Sequence, residues 1–362
     1  MMRMIHASDR VRWSARDLQK GYLHQSSDVE TRRFRDTLIN DYHGLAIEDV
    51  FNGREVRCSS GSCYAIESRN PISLGARERE RATAAILCDI SLIRGIGPAA
   101  RQRLEERGYR TVPDLLGHPR YRREAGRLLD LVAGGDTREL VNWIERRHRQ
   151  SDPLLLEASR FHAPEDFAFL DIETLGLSSR PIILIGLGRV EGDSIVLRQY
   201  LLRSIEEETA ALAAVLPDLE AERTALVTFN GRAFDLPYIR DRLTSKGIPA
   251  TLDLPHFDLL RFARRRWGGY LPSCRLGSLE TAVLNVTRAD DLPSAMVPEF
   301  YETYLRTGNP GPLIPIVEHN RQDIISLARL FALLRGDDRT AATREASIPE
   351  MRQNRDEMRS QR

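Results

Sequence analysis

The sequence predicts an α/β protein: a mixed sheet with helices packed on it, preceded by a small helical domain and an N-terminal module that carries a β-hairpin. Three observations support this fold class. Phe167 to Leu170 are four apolar residues, two of them aromatic, with the composition of a buried strand, and they lead into Asp171, Ile172, Glu173 and Thr174. Pro181 to Val190 and Ile195 to Leu202 are apolar β-type runs separated by the turn residues Glu191, Gly192 and Asp193, so three consecutive strands are expected in a hairpin arrangement. Ser204 and Glu207 read as a capping box for a helix running toward Leu216 and ended by Pro217, after which Thr224 to Phe229 is a fourth strand. Hairpin strands, a helix and a further strand form the pattern of a mixed sheet covered by helices.

The chain has 362 residues, enough for two or three domains. Residues 1–80 read as the N-terminal module, 81–150 as the helical domain, 161–336 as the sheet domain and 337–362, charged and poor in large apolar residues, as a disordered tail. A linker is expected at Ser151 to Glu165, where Pro153 and Pro164 interrupt any periodicity. No apolar run is long enough to span a bilayer, and Met1 to Trp13 is polar and studded with Arg, so a cytoplasmic protein without membrane contact is expected. Cys58, Cys63, Cys88 and Cys274 show no CxxC spacing and read as free thiols, with a Cys58–Cys63 redox pair across a turn as the lesser alternative. A formal charge of +1 gives no global polyanion signal, so contact with nucleic acid has to come from local patches. Lys20 and Lys246 are the only lysines. Arginine suits bidentate phosphate contacts, although GC-rich codon usage would produce the same skew.

Arg54 to Cys58 and Ser62 to Glu67 are short strands around Ser59, Ser60 and Gly61. Nothing in residues 1–80 carries chemistry, and docking or scaffolding is the default role. Arg79 to Cys88 is helical. Beyond it, Gly95 and Gly97 permit a tight turn and close backbone approach, and Pro98 falls where the first position of a new helix would accept it. That helix, with Leu104 inward, breaks at Gly108 and resumes from Val112 to Leu116. The segment resembles the helix-hairpin-helix family, whose members mostly grip the DNA backbone without reading sequence; Gly95, Gly97 and Arg101 are the contacts the resemblance implies. Between Arg94 and Arg127 there are nine arginines against four acids, the local balance that phosphate binding requires. A protein-docking domain with a solvated charged face is the alternative. Gly134 and Gly135 end one helix, and Thr137 to Arg149 read as another.

The acidic residues carry the chemistry. The spacing of Asp171 and Glu173 sends both carboxylates to one side of a strand, where a divalent cation is the usual compensation and an ordinary polar strand end is the bland reading. A second motif, Asn230 to Tyr238, begins where the fourth strand stops, and Pro237 places Asp235 at a helix N-terminus. Helix capping alone would explain that Asp. A third lies on a helix from Ile316 to Leu334, where Asp323 falls within the apolar stripe and His319 one turn earlier on the same face. An inward acid needs a cation, either a lone Arg or a shared metal.

The ordered set Asp171, Glu173, Asp235 and Asp323 resembles the DEDD exonuclease superfamily, built on the ribonuclease H fold. His256 to Leu259, Trp267, Cys274 to Leu279, Pro298 to Gly308, and His319, Asn320 with Asp323 are similar to the YprB-type ribonuclease-H-like domain, over about Phe161 to Leu334. The resemblance implies a five-stranded mixed sheet whose four acids hold two divalent ions, Mg2+ or Mn2+, with Asp171 bridging them and His319 orienting or deprotonating the attacking water. The spacing departs from the family in one respect: His319 stands four residues before Asp323, the spacing of the tyrosine class rather than the five of the histidine class. Asp258 is a second candidate for a chemical role, or a helix cap. Asn230 at the sheet mouth, and Arg264 and Arg265 beside Trp267, are candidate nucleic-acid contacts, the arginines reading equally as a solvated helix face. The expected activity is a metal-dependent 3′–5′ exonuclease on DNA. The alternatives are an inactive nucleic-acid-binding or scaffold protein and an RNA-processing nuclease.

Overall fold

The computed structural model describes residues 23–288 and 292–337. The Arg-rich start, Met1 to Trp13, and the tail beyond Asp337 lie outside the described residues. Helices α1 (Leu23–Asp41) and α2 (Ile47–Val50) precede a hairpin of β1 (Gly53–Cys58) and β2 (Gly61–Pro71). Next come α3 (Arg79–Leu87), α4 (Pro98–Glu106), α5 (Arg122–Gly134), α6 (Thr137–Glu145) and α7 (Pro153–Ser159). Strands β3 (Phe167–Thr174), β4 (Ile182–Glu191) and β5 (Ser194–Leu201) are followed by α8 (Glu208–Glu220), β6 (Ala225–Thr228), α9 (Asp235–Ser245) and β7 (His256–Asp258). The described chain closes with α10 (Leu259–Trp267), α11 (Leu276–Leu279), α12 (Val297–Thr307) and α13 (Leu313–Arg335).

One mixed sheet runs in the order β1-β2-β5-β4-β3-β6-β7. The first four neighbouring pairs are antiparallel, while β3–β6 and β6–β7 are parallel. Five of these strands form the mixed sheet that was expected. The N-terminal hairpin adds two more, with β2 pairing along the full length of β5 from Tyr64↔Leu201 to Pro71↔Ser194. It is an edge of the sheet rather than a separate module, because Cys63 to Ile66 are buried and need the same core to cover them.

Alternation along β3 divides the interior. Phe167 and Phe169 belong to the core on one face, with Leu327, Leu330 and Phe331 of α13, while Ala168, Leu170 and Ile172 belong to the other, with α8, α9 and α12. Asp171 and Glu173 therefore continue the α13 face. On that face α13 lies close to β4 because the strand presents glycines there. A Cβ on Gly186 would stand 2.1 Å from Asn320 Oδ1, and one on Gly188 2.8 Å from Ile324 Cγ2.

The helices from α3 to α6 share the first core without a break, through Ile86, Leu92, Leu104, Leu115, Leu128 and Leu140. The expected linker is instead helix α7, with Pro153 at its first turn, Asp152 capping Leu154 N at 3.0 Å, and Leu155 and Ala158 buried. Two local expectations also fail. Ser204 makes no cap bond, since Glu207 accepts from Arg203 N at 2.8 Å and pairs with the Arg203 side chain. Pro217 does not end α8, whose last turn is held where Asp218 O accepts from Thr224 Oγ1 at 2.9 Å and from Arg189. The segment after Gly108 resumes as a 3-10 turn, Pro113–Gly117. All four cysteines are free, and Cys58 and Cys63 are not opposite one another in the hairpin register. Among the described residues no helix is long and apolar enough to cross a membrane.

Candidate active site

Three elements deliver carboxylates to one place. Asp171 and Glu173 lie near the end of β3, Asp235 opens α9 and Asp323 sits mid-way along α13. Asp235 is aimed back at β3, where its Oδ1 accepts from Ile172 N at 3.2 Å. The loop that carries it turns at Asn230, in the left-handed region at φ 68°. Asp258 braces that loop by accepting from Asn230 N at 2.8 Å and Arg232 N at 3.3 Å, and it also caps α10 through Leu260 N at 3.2 Å. Backbone amides thus occupy both oxygens of Asp258, which makes it a brace and a cap.

Crowding four acids in a buried place raises their proton affinity. Burial first, then the charges of Asp323, Asp235 and Glu173, hold Asp171 well above the usual carboxylate range. Burial pushes Glu173 up to about 8 and Asp235 up to about 7. It raises Asp323 as well, against the opposing pull of His319 whenever that ring is protonated and of the Arg288 guanidinium. The His319 Nε2 lies 3.8 Å from Asp323 Oδ2 and 4.0 Å from Glu173 Oε1.

The structure also gathers residues to which the sequence reading assigns no chemical role. Asn320 donates from Nδ2 to Asp171 Oδ2 at 2.8 Å and to Asp171 O at 3.1 Å, and its own Oδ1 accepts from Gln199 Nε2 at 2.9 Å. Glu280, 1% exposed, holds Arg288 by two bonds of 2.7 and 2.6 Å, and Arg288 in turn contacts Asp323. Glu280 lies in a π-helical turn, Glu280–Leu284, a local irregularity with no sequence signature of its own.

As they stand, no three His, Cys, Asp or Glu side chains among the described residues converge into a ready metal cage. The chemistry of the donor set nevertheless fits a hard divalent ion. The oxygens are buried at Glu173 and Asp235 and half-buried at Asp171 and Asp323, mutually repelling and proton-retaining, and the Arg288 guanidinium already supplies them with positive charge.

The candidate nucleic-acid residues lie apart from this cluster. Gly95 has φ 86° and Gly97 is the N-cap of α4, with Pro98 at its first turn. Both line a cavity of about 470 Å³ together with Arg94, Arg146 and Arg147. Arg101 is engaged elsewhere, with Glu105 at 2.7 Å and Asp89 at 3.2 Å. Arg264 is exposed on α10 and Arg265 lies 3.8 Å from Asp152. Trp267 is buried beneath Arg266, so it packs the core and offers no face to a base.

Residues 168–335 match the family model described as the RNase_H superfamily. The chain is also 34% identical over 168 residues to an uncharacterized protein, YprB, of Bacillus subtilis (strain 168), a match that spans 45% of this chain and 40% of that relative. The mixed sheet with flanking helices is consistent with the RNase H-like fold over the matched residues.

Proposed function

We propose that this protein is a divalent-metal-dependent 3′–5′ exonuclease acting on DNA. The observation that carries the reading is the approach of Asp171, Glu173, Asp235 and Asp323 from β3, α9 and α13 into one buried, proton-retaining cluster. Two ions, Mg2+ or Mn2+, would be held by these four side chains, and when bound they supply Lewis acidity at the phosphate and a more acidic water. The chain's own residues do the remainder. Asn320 fixes the Asp171 carboxylate, the Ile172 amide fixes that of Asp235, and His319 stands where it can orient or deprotonate the attacking water. The cavity at Gly95 and Gly97, with Arg94 and Arg146, supports a grip on the phosphodiester backbone by the helix-hairpin-helix-like segment, and that segment is the ground for preferring DNA over RNA.

The test is cleavage of 5′-labelled single- and double-stranded DNA and RNA with Mg2+ or Mn2+, beside Asp171→Ala and Asp323→Ala. A ladder shortening from the 3′ end and absent from both variants is expected. Activity retained in both variants overturns the assignment. A non-catalytic binding role is the second reading, favoured by the arginine lodged among the acids, and calorimetric titration with Mn2+ separates the two.

A further inference from the structure

Inside the acidic cluster stands a cation that the chain itself supplies. The Arg288 guanidinium is forked onto Glu280, with Nε to Oε2 at 2.7 Å and Nη2 to Oε1 at 2.6 Å, and the same Nη2 contacts Asp323 Oδ1. Its Nη1 lies 3.1 Å from His319 Nδ1. Glu280 is fully enclosed and only 11% of the Arg288 side chain is exposed, so these contacts are shielded from water. A guanidinium has five N–H groups and no lone pair, so His319 Nδ1 must be the acceptor in that bond. The ring proton of His319 then sits on Nε2, the nitrogen that faces Asp323 and Glu173.

Two consequences follow from this geometry. The charge of Asp323 is satisfied by an arginine in the place where a metal-holding acid would face its ion. The nitrogen of His319 that faces the acids carries a proton and has no lone pair with which to take one from water. Both would block the site as long as the contact persists. Both would be relieved if the guanidinium withdrew toward Glu280, whose two oxygens can hold it alone.

We propose that Arg288 is the built-in counter-cation of the metal-free site: it neutralises Asp323 and sets the tautomer of His319, and it gives up both when a divalent ion enters. This rests on the metal-dependent reading above. Arg288 is a positioning residue here, acting through Asp323 and His319. A competitor that must be displaced weakens observed metal affinity, and removing it leaves the carboxylates uncompensated when no ion is present.

The test compares the full chain and Arg288→Gln by calorimetric titration with MnCl2 and by thermal unfolding in EDTA. The variant is expected to bind Mn2+ about tenfold tighter and to unfold at a lower temperature in EDTA. Equal or weaker binding by a folded variant, with wild-type binding intact, overturns the proposal and makes Arg288 a fixed support of the site. Absence of binding by both proteins overturns the metal-dependent reading and this inference with it. A measurement on the wild type guards against a misfolded variant: hydrogen exchange of the Arg288 Nη protons by NMR should quicken at saturating Mg2+, and unchanged protection overturns the exchange.

Discussion

Asn320 on α13 and Asp171 on β3 form the tie that holds the helix against the sheet at the site, with Nδ2 donating both to the Asp171 carboxylate at 2.8 Å and to its carbonyl at 3.1 Å. The tie exists because Gly186 leaves room for it, since a Cβ there would stand 2.1 Å from Asn320 Oδ1. Gly186→Ala should therefore push α13 away, costing about 1–3 kcal/mol as an overpacked core does. Asn320→Leu should cost a similar amount through unsatisfied polar groups. Urea denaturation gives the stability, and both variants should also lose Mn2+ affinity in calorimetry. Unchanged affinity in both would show that the tie is structural only.

Protonation of the acids sets a pH dependence. Burial raises Glu173 to about 8 and Asp235 to about 7, so without metal the native protein holds protons that the unfolded chain has released. The stability these groups contribute is full below the ordinary carboxylate range and is lost as pH rises toward 8. Thermal unfolding in EDTA should accordingly show a midpoint falling between pH 5 and 8 on the order of several degrees. Glu173→Gln should flatten the slope and gain about 1 kcal/mol or more at pH 8. A midpoint that rises with pH in the wild type would contradict the shifts.

Metal affinity should move in the opposite sense. The carboxylates must give up their protons to hold an ion, so Mn2+ binding should release protons and weaken as pH falls below about 7. Calorimetry in buffers of different ionisation enthalpy counts those protons. None released at pH 6.5 would mean that Glu173 and Asp235 are not among the ligands.

A buried cation pair closes the far end of α13. Arg160 is 1% exposed and contacts Glu78, Asp337 and the Arg335 carbonyl, while Arg335 Nε lies 2.9 Å from Asp337 Oδ2 and its guanidinium stands over Phe167 and Phe331. Asp337 also accepts from Gly75 N at 3.1 Å, tying the N-terminal segment to the helix. Removing the shared acid leaves two buried charges with less compensation, so Asp337→Ala should destabilise by about 3–5 kcal/mol, read from chemical unfolding. A loss under about 1 kcal/mol would place this network with exposed ion pairs.

The helical segment offers an independent test. Arg94 has its side chain beside the Gly95–Gly97 cavity, so Arg94→Ala should weaken DNA binding evenly across sequences and reduce the salt slope by about 1. Fluorescence anisotropy at several salt concentrations measures both. An unchanged slope would favour a protein-docking role for this segment.

The sequence by itself determined the strands from β3 to β6, because alternation of apolar and turn residues is a local signal. It also placed Asp171, Glu173, Asp235, His319 and Asp323 on the right elements, since spacing along a strand or helix fixes the face each side chain takes. It placed Pro98 and Gly95 correctly for the same reason: their backbone preferences act within one or two residues. Tertiary structure alone decided the rest. The partner of β2 is a strand about 130 residues away, and no local pattern announces a pairing across that distance. Pro153 looked like a break and proved to be a helix start, because packing of Leu155 and Ala158 selects the conformation. Asp337, read as the first residue of a tail, is buried by two arginines that come from different elements. Glu280 and Arg288 were invisible as site residues for the same physical cause: a carboxylate and a guanidinium eight residues apart acquire their role only when the fold brings Asp323 and His319 to them.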